Sequence, residues 1–198
     1  MLVSAENLKE IKPYEIRIFL EHVEAMFARY VELKSRNVSI THETPLDDFG
    51  KRAYSGPVIT YSLVKRQPAS YKSSPFSGQW QPKDPLEAKT VDIGNISARI
   101  TYFLEYDNLV RFRVYSADYS ECQRVAEEFE NFMILAKKAI LSKGITDFSL
   151  LARDQDSTIS VSNETLYVAT FEYYVRTRKI FETDESVIRE ITTVLSMN

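Results

Sequence analysis

Two histidines, one cysteine and a scatter of carboxylates are the side chains in this chain that could support catalysis or hold a metal. His22 and His42 have no cysteine or acidic cluster at ligand spacing, one falling on a predicted helix face and the other in a predicted loop. Cys122 sits among apolar residues at helical spacing and reads as a small buried hydrophobe rather than a nucleophile. Asp154-x-Asp156 followed by Ser157 begins like a calcium loop. The sixth position, however, is Ile159 where the sharp turn needs glycine, and the twelfth is Thr165 where a bidentate glutamate belongs. Five glycines in 198 residues leave no phosphate-gripping loop. No catalytic residue, cofactor-binding residue or metal ligand is therefore assigned, and the chain is not expected to be an enzyme.

Other residue types point to contact rather than reaction. Twelve tyrosines include Tyr102, Tyr106 and Tyr115 on a predicted hairpin and Tyr167, Tyr173 and Tyr174 on a predicted long strand, where they either reflect strand propensity or present an apolar ring with a hydroxyl to a partner. Arg176 and Arg178 share one face of a strand, either as a charged edge that blocks uncontrolled pairing or as donors to acidic groups on another copy. The net charge of −3, from 25 basic and 28 acidic residues, argues against a general nucleic-acid binder. One cysteine permits no internal disulfide and suits an unoxidised, intracellular origin. The first residues lack the pattern of a signal peptide, and no apolar run is long enough to span a membrane.

The elements that would position these residues fall into three parts of a single α+β domain, 1–198. Over 14–37, apolar residues at Ile16, Phe19, Leu20, Val23, Phe27, Tyr30 and Val31 predict an amphipathic helix with Pro13 at its start. From 44 to 86 the periodicity fails. Six of the seven prolines lie there, with Phe49, Tyr54, Tyr61, Tyr71, Phe76 and Trp80, and only Val58 to Val64 reads as a strand. This stretch is either a long loop whose aromatics fold back on the core, or an extended arm that docks on a neighbouring subunit. Its charge is +3 (six basic, three acidic), against −5 (13 basic, 18 acidic) over 87–198, which suits head-to-tail contact between copies.

The remainder, 87–198, is predicted as a ββαββα core. Ile93 to Glu105 and Leu109 to Tyr115 read as a hairpin turning at Asp107-Asn108. Asp118, with Glu121 three residues on, caps a long helix whose apolar face runs from Tyr119 and Cys122 through Phe129 to Ile140, stopping at Gly144. Ile145 to Leu151 and Thr165 to Ile180 form a second hairpin around the polar turn beginning at Arg153, and Asp184 and Glu185 open a short last helix. Two hairpins flanking one helix favour an antiparallel sheet with helices on one face.

Several of these segments resemble bacteriophage tail terminator (neck, tail completion) proteins. The likeness runs through Val110-Arg-Phe-Arg-Val-Tyr-Ser, Ala126-Glu-Glu-Phe-Glu-Asn-Phe-Met, Lys143-Gly-Ile-Thr-Asp-Phe, Arg153-Asp-Gln-Asp, Thr165-Leu-Tyr-Val and Tyr173-Tyr-Val-Arg-Thr-Arg-Lys, and extends to Lys65-Arg-Gln-Pro and Ser74-Pro-Phe. It covers half to two-thirds of the chain. The resemblance implies a virion protein assembled in the host cytoplasm. Its subunits would form a ring, typically a hexamer, at the head–tail junction. That ring caps the tail tube, binds the head connector or completion protein, can touch the tail sheath, and leaves a channel through which DNA passes as cargo, with no membrane involved. The surplus of acid in 87–198 suits such a lumen. Subunit contacts are then expected at Tyr61, Lys65, Arg66, Tyr71, Phe76, Trp80, Arg176 and Arg178, and a tube- or lumen-facing loop at Arg153, Asp154 and Asp156. The N-terminal helix and the arm equally fit a head-completion, connector or other neck protein, and a non-viral cytoplasmic adaptor is the alternative from another class.

Overall fold

A computed structural model of the chain describes residues 15–42, 45–46, 53–69, 86–92, 97–154, 156–161 and 164–184, with 86–92, 97–100, 161, 164 and 181–184 described by their backbone alone. Helix α1 (Ile16–Leu33) buries Ile16, Phe19, Val23, Phe27 and Val31, the stripe that the apolar spacing predicts. It stops short of the predicted end at 37. Arg36 N donates to Val31 O and Ser35 N to Glu32 O, closing the last turn, with Ser35 at φ 51° where a glycine would be expected. A non-glycine stop of this kind has no clear sequence signal.

Among the described residues seven strands make one sheet: β1 (Ser39–Thr41), β2 (Val58–Pro68), β3 (Leu86–Asp92), β4 (Ser97–Ser116), β5 (Asp147–Arg153), β6 (Ser157–Val161) and β7 (Glu164–Asp184). Its spine is the antiparallel pair β4–β7, in unbroken register from Arg99 opposite Asp184 to Ser116 opposite Tyr167. The predicted turn at Asp107-Asn108 is thus replaced by continuous strand. Asn108 Nδ2 donates to Val175 O at 2.9 Å and to Thr177 Oγ1 at 3.0 Å, and Asp107 is paired across to β7, so the side chains that suggest a turn reach across to the neighbouring strand. The hairpin partner of β4 is β3, which lies at the start of the predicted 87–198 core, ahead of the strand expected from Ile93.

Both flanks of this spine are built from collinear pieces. β2 runs antiparallel to β4 until Pro68 lies opposite Tyr106, Ala69 N donates to Glu105 O at 2.8 Å, and β3 resumes in the same direction with Leu86 opposite Phe103. Only the position opposite Leu104 separates them. On the far side, β5 and β6 follow one another along β7, joined where Asp154 N donates to Thr170 O at 3.0 Å. β1 adds a short parallel strand beside Val58–Thr60.

Helix α2 (Tyr119–Ser142) begins as the sequence predicts: Glu121 N donates to Asp118 Oδ1 at 2.7 Å. The reciprocal half of the capping box is relayed, because Ser116 Oγ accepts from Asp118 N and donates to Glu121 Oε2. The helix ends before Gly144, whose φ of 111° only glycine adopts readily. α1 and α2 cover the same sheet face. Phe129 is fully buried there, with its ring centroid 5.3 Å from that of Phe27, 5.1 Å from Phe112 and 5.9 Å from Phe171. β7 ends at Asp184; the predicted C-terminal helix that would follow, like Pro13, lies outside the described residues.

Candidate functional site: an ion-pair ladder and an open sheet edge

On the sheet face away from the helices, β4 and β7 place acids and bases opposite one another. Register sets Glu105 against Arg178, Asp107 against Arg176 and Arg111 against Glu172. Each cross-strand pair closes. Arg178 Nη2 donates to Glu105 Oε1 at 2.7 Å, and Arg111 Nε to Glu172 Oε1 at 3.0 Å. Arg176 donates twice to Asp107, through Nε at 2.7 Å and Nη2 at 3.3 Å, while Tyr174 Oη donates to the same carboxylate at 2.7 Å. Asp107 has no solvent exposure. Burial works against the charge on Arg176, yet its hydrogen bond to Asp107 and the neighbouring Tyr174 raise its pKa above the ordinary value. Burial, together with the bond to Asp107, also holds the Tyr174 phenol well above the usual range.

The two arginines expected to reach an adjacent copy are therefore tied to carboxylates of their own chain. A signal for this exists in the sequence: Glu105-x-Asp107 and Arg176-x-Arg178 are complementary when read antiparallel.

The other expected contact residues separate. Tyr61 turns inward on β2, its hydroxyl donating to Glu24 Oε2 on α1 at 2.6 Å and its ring 6.1 Å from Phe112, so it fastens the strand to the helix layer. Lys65 is exposed on β2, and the Arg66 guanidinium lies 4.2 Å from the centroid of Tyr106. Tyr71, Phe76 and Trp80 lie outside the described residues.

Neither a comparison with protein-family models nor one with curated proteins finds a match to this chain.

Arg153, Asp154 and Asp156, expected in a protruding loop, lie at the end of β5 and in its joint with β6, where Asp154 bonds to β7 through its backbone and Arg153 and Asp156 are drawn toward α2. Arg153 Nη2 donates to Gln123 Oε1 at 2.8 Å, Gln123 Nε2 donates to Asp156 Oδ2 at 2.7 Å, and the Arg153 guanidinium also approaches Glu130 at 3.5 Å. This clamp fixes which side of α2 faces the β5 edge. That side of α2 carries Ile134, 67% exposed, and the β5 strand itself carries Leu150, 39% exposed, and Leu151, 47% exposed. Among the described residues no strand pairs with the outer edge of β5 or β6.

Residues with chemical potential elsewhere are built into structure. Cys122 is buried, its thiol donating to Tyr167 O at 3.4 Å and pushed up to about 11 by burial. His42 follows β1, with its ring 6.3 Å from that of Tyr61. Among the described residues no three His, Cys, Asp or Glu side chains gather as a metal site, and no helix is long and apolar enough to cross a membrane.

Proposed function

We propose that this chain is a self-assembling structural subunit, a tail terminator that forms a ring at the head–tail junction of a virion. The ring, a hexamer in this reading, caps the tail tube, offers its other face to the head connector and leaves a channel for DNA. The observation that carries the reading is the interruption of the β2–β3 edge. One residue opposite Leu104 would complete a continuous strand, yet sixteen residues, 70–85, are inserted there. They include Tyr71, Phe76, Trp80 and three prolines. An insertion that the sheet does not need, rich in the residue types that dominate interfaces, supports the arm reading over the folded-back loop. The resemblance to tail terminators supplies the kind of assembly.

A closed heterologous interface produces a ring without any chemical step, one face of which can match a tube while the other does not. Measuring the mass of the purified protein alone and after mixing with tail tubes tests this. The expected result is a ring whose mass is a multiple of 22.9 kDa and which blocks tube elongation. A strict monomer that neither assembles on tubes nor stops their growth would overturn the reading.

A further inference from the structure

We infer that the cleft between helix α2 and the open edge of β5 is the docking site for residues 70–85 of a second copy of this chain. The inference rests on the self-assembly reading and names the surface that reading needs.

The recipient surface follows from helical spacing. Gln123 and Glu130 both reach Arg153, so their side of α2 faces β5. Ile134 and Leu141 continue that stripe, seven plus four and then seven further residues along, a spacing that returns to nearly the same angle on the helix. On β5, Leu150 lies opposite Tyr173, a core residue under the helices, so it points toward the helix side of the sheet. Leu151 sits at the register shift between Leu150 and Ala152. Ile134, Leu141, Leu150 and Leu151 are all exposed, giving an aliphatic row beside a strand edge whose outward N–H and C=O groups have no strand partner among the described residues. An edge strand flanked by an apolar helix side is the geometry in which an extended segment adds main-chain hydrogen bonds while its alternate side chains settle on the helix.

Chain length identifies the donor as a neighbour. The inserted segment leaves and re-enters the sheet opposite Glu105 and Phe103, so it must travel out and back, and its tip reaches about 27 Å at full extension. Within one chain, β5 lies three strand spacings across, about 14 Å, and Leu150 is level with Tyr173, six residues along β7 from the Lys179 that faces Leu104, about 20 Å. The straight path is about 25 Å. A segment docked in its own chain would spend its whole length on the journey, with nothing left to lie along the edge. A second copy removes that constraint. Because the donor is on the β2–β3 flank and the recipient on the β5 flank, the contact is head-to-tail and can repeat around a ring.

Two variants test it. In one, residues 70–85 are replaced by a single serine, which restores the missing position opposite Leu104; in the other, Ile134→Lys and Leu151→Lys place charge in the cleft at exposed positions. Each alone is expected to keep a cooperative melt and to lose assembly by light scattering, and an equimolar mixture is expected to give dimers and nothing larger, since one donor and one recipient survive between them. Phe76→Ala with Trp80→Ala, which keeps chain length, replaces the first variant if the shortened strand does not fold. Assembly of either variant at the wild-type mass, or a mixture that stays monomeric, overturns the inference while leaving the self-assembly reading intact. A wild-type chain that is itself monomeric, alone and on tail tubes, overturns both.

Discussion

Asp107 carries its carboxylate at zero solvent exposure, and the Arg176 guanidinium and Tyr174 hydroxyl are what make that position tenable. Removing the guanidinium takes the counter-charge away from a buried carboxylate, so Arg176→Ala is expected to cost about 3–5 kcal/mol, whereas adding Asp107→Ala should return part of it. Urea denaturation of the single and double variants measures both; a single variant within 1 kcal/mol of wild type, on the order of an exposed pair, would contradict the buried role. Titration behaviour belongs to the same scale. Burial raises the Cys122 thiol to about 11, and burial first, then nearby carboxylates, lifts Tyr61, Tyr173 and Tyr174 above the usual phenol range. Groups with raised folded-state values contribute stability that is complete below their unfolded values, about 8.5 for thiol and 10 for phenol, and is lost as pH climbs toward the folded ones. The melting temperature is therefore expected to hold level up to about pH 8.5 and then to fall, with the Cys122 share lost by about pH 11. Cys122→Ala should delay the onset toward pH 10, and tyrosinate absorbance should rise only with unfolding. Cys122 as a core residue was legible from its neighbours; Arg176 and Arg178 were legible as a charged face but not as partners of Glu105 and Asp107, because pairing depends on a register that no local pattern states.

Elements show how far periodicity carries. α2 could be read nearly to the residue, since its cap, its apolar stripe and its glycine stop are all local features. Asp118→Ala removes the acceptor for Glu121 N and also unsettles the Ser116 relay, so a loss of about 1 kcal/mol is expected, read by thermal melting. A change of a few tenths would place the cap's importance elsewhere. Strand β4 was misread for a physical reason. Asp and Asn favour turns because they bond their own backbone; Asn108 does donate to Tyr106 O, but Asp107 and Asn108 also bond across to β7, and the neighbouring strand prevails where those side chains have no solvent exposure. The sequence predicts none of β1, β3 and β6. Three residues at Ser39–Thr41 are too few to carry a period, and Leu86–Asp92 follows a run of prolines that masks where the strand resumes.

At the scale of the whole molecule, the sheet has one interrupted flank and, among the described residues, one flank without a strand partner, and the proposed ring and docking cleft are argued from that asymmetry. Composition, the absence of a phosphate loop and the periodicities of α1, α2 and β7 were determined by the sequence itself, because each depends on residues close in the chain. The α+β class followed from them. Three things were decided only by tertiary structure: that residues 97–116 are one strand, that β2 and β3 are halves of another with a single position between them, and that Arg153 on β5 meets Gln123 and Glu130 on α2. Each depends on which distant backbone supplies the hydrogen-bond partner, and strand pairing over a separation of about 70 residues, such as Asp107 with Arg176, leaves no local period to read.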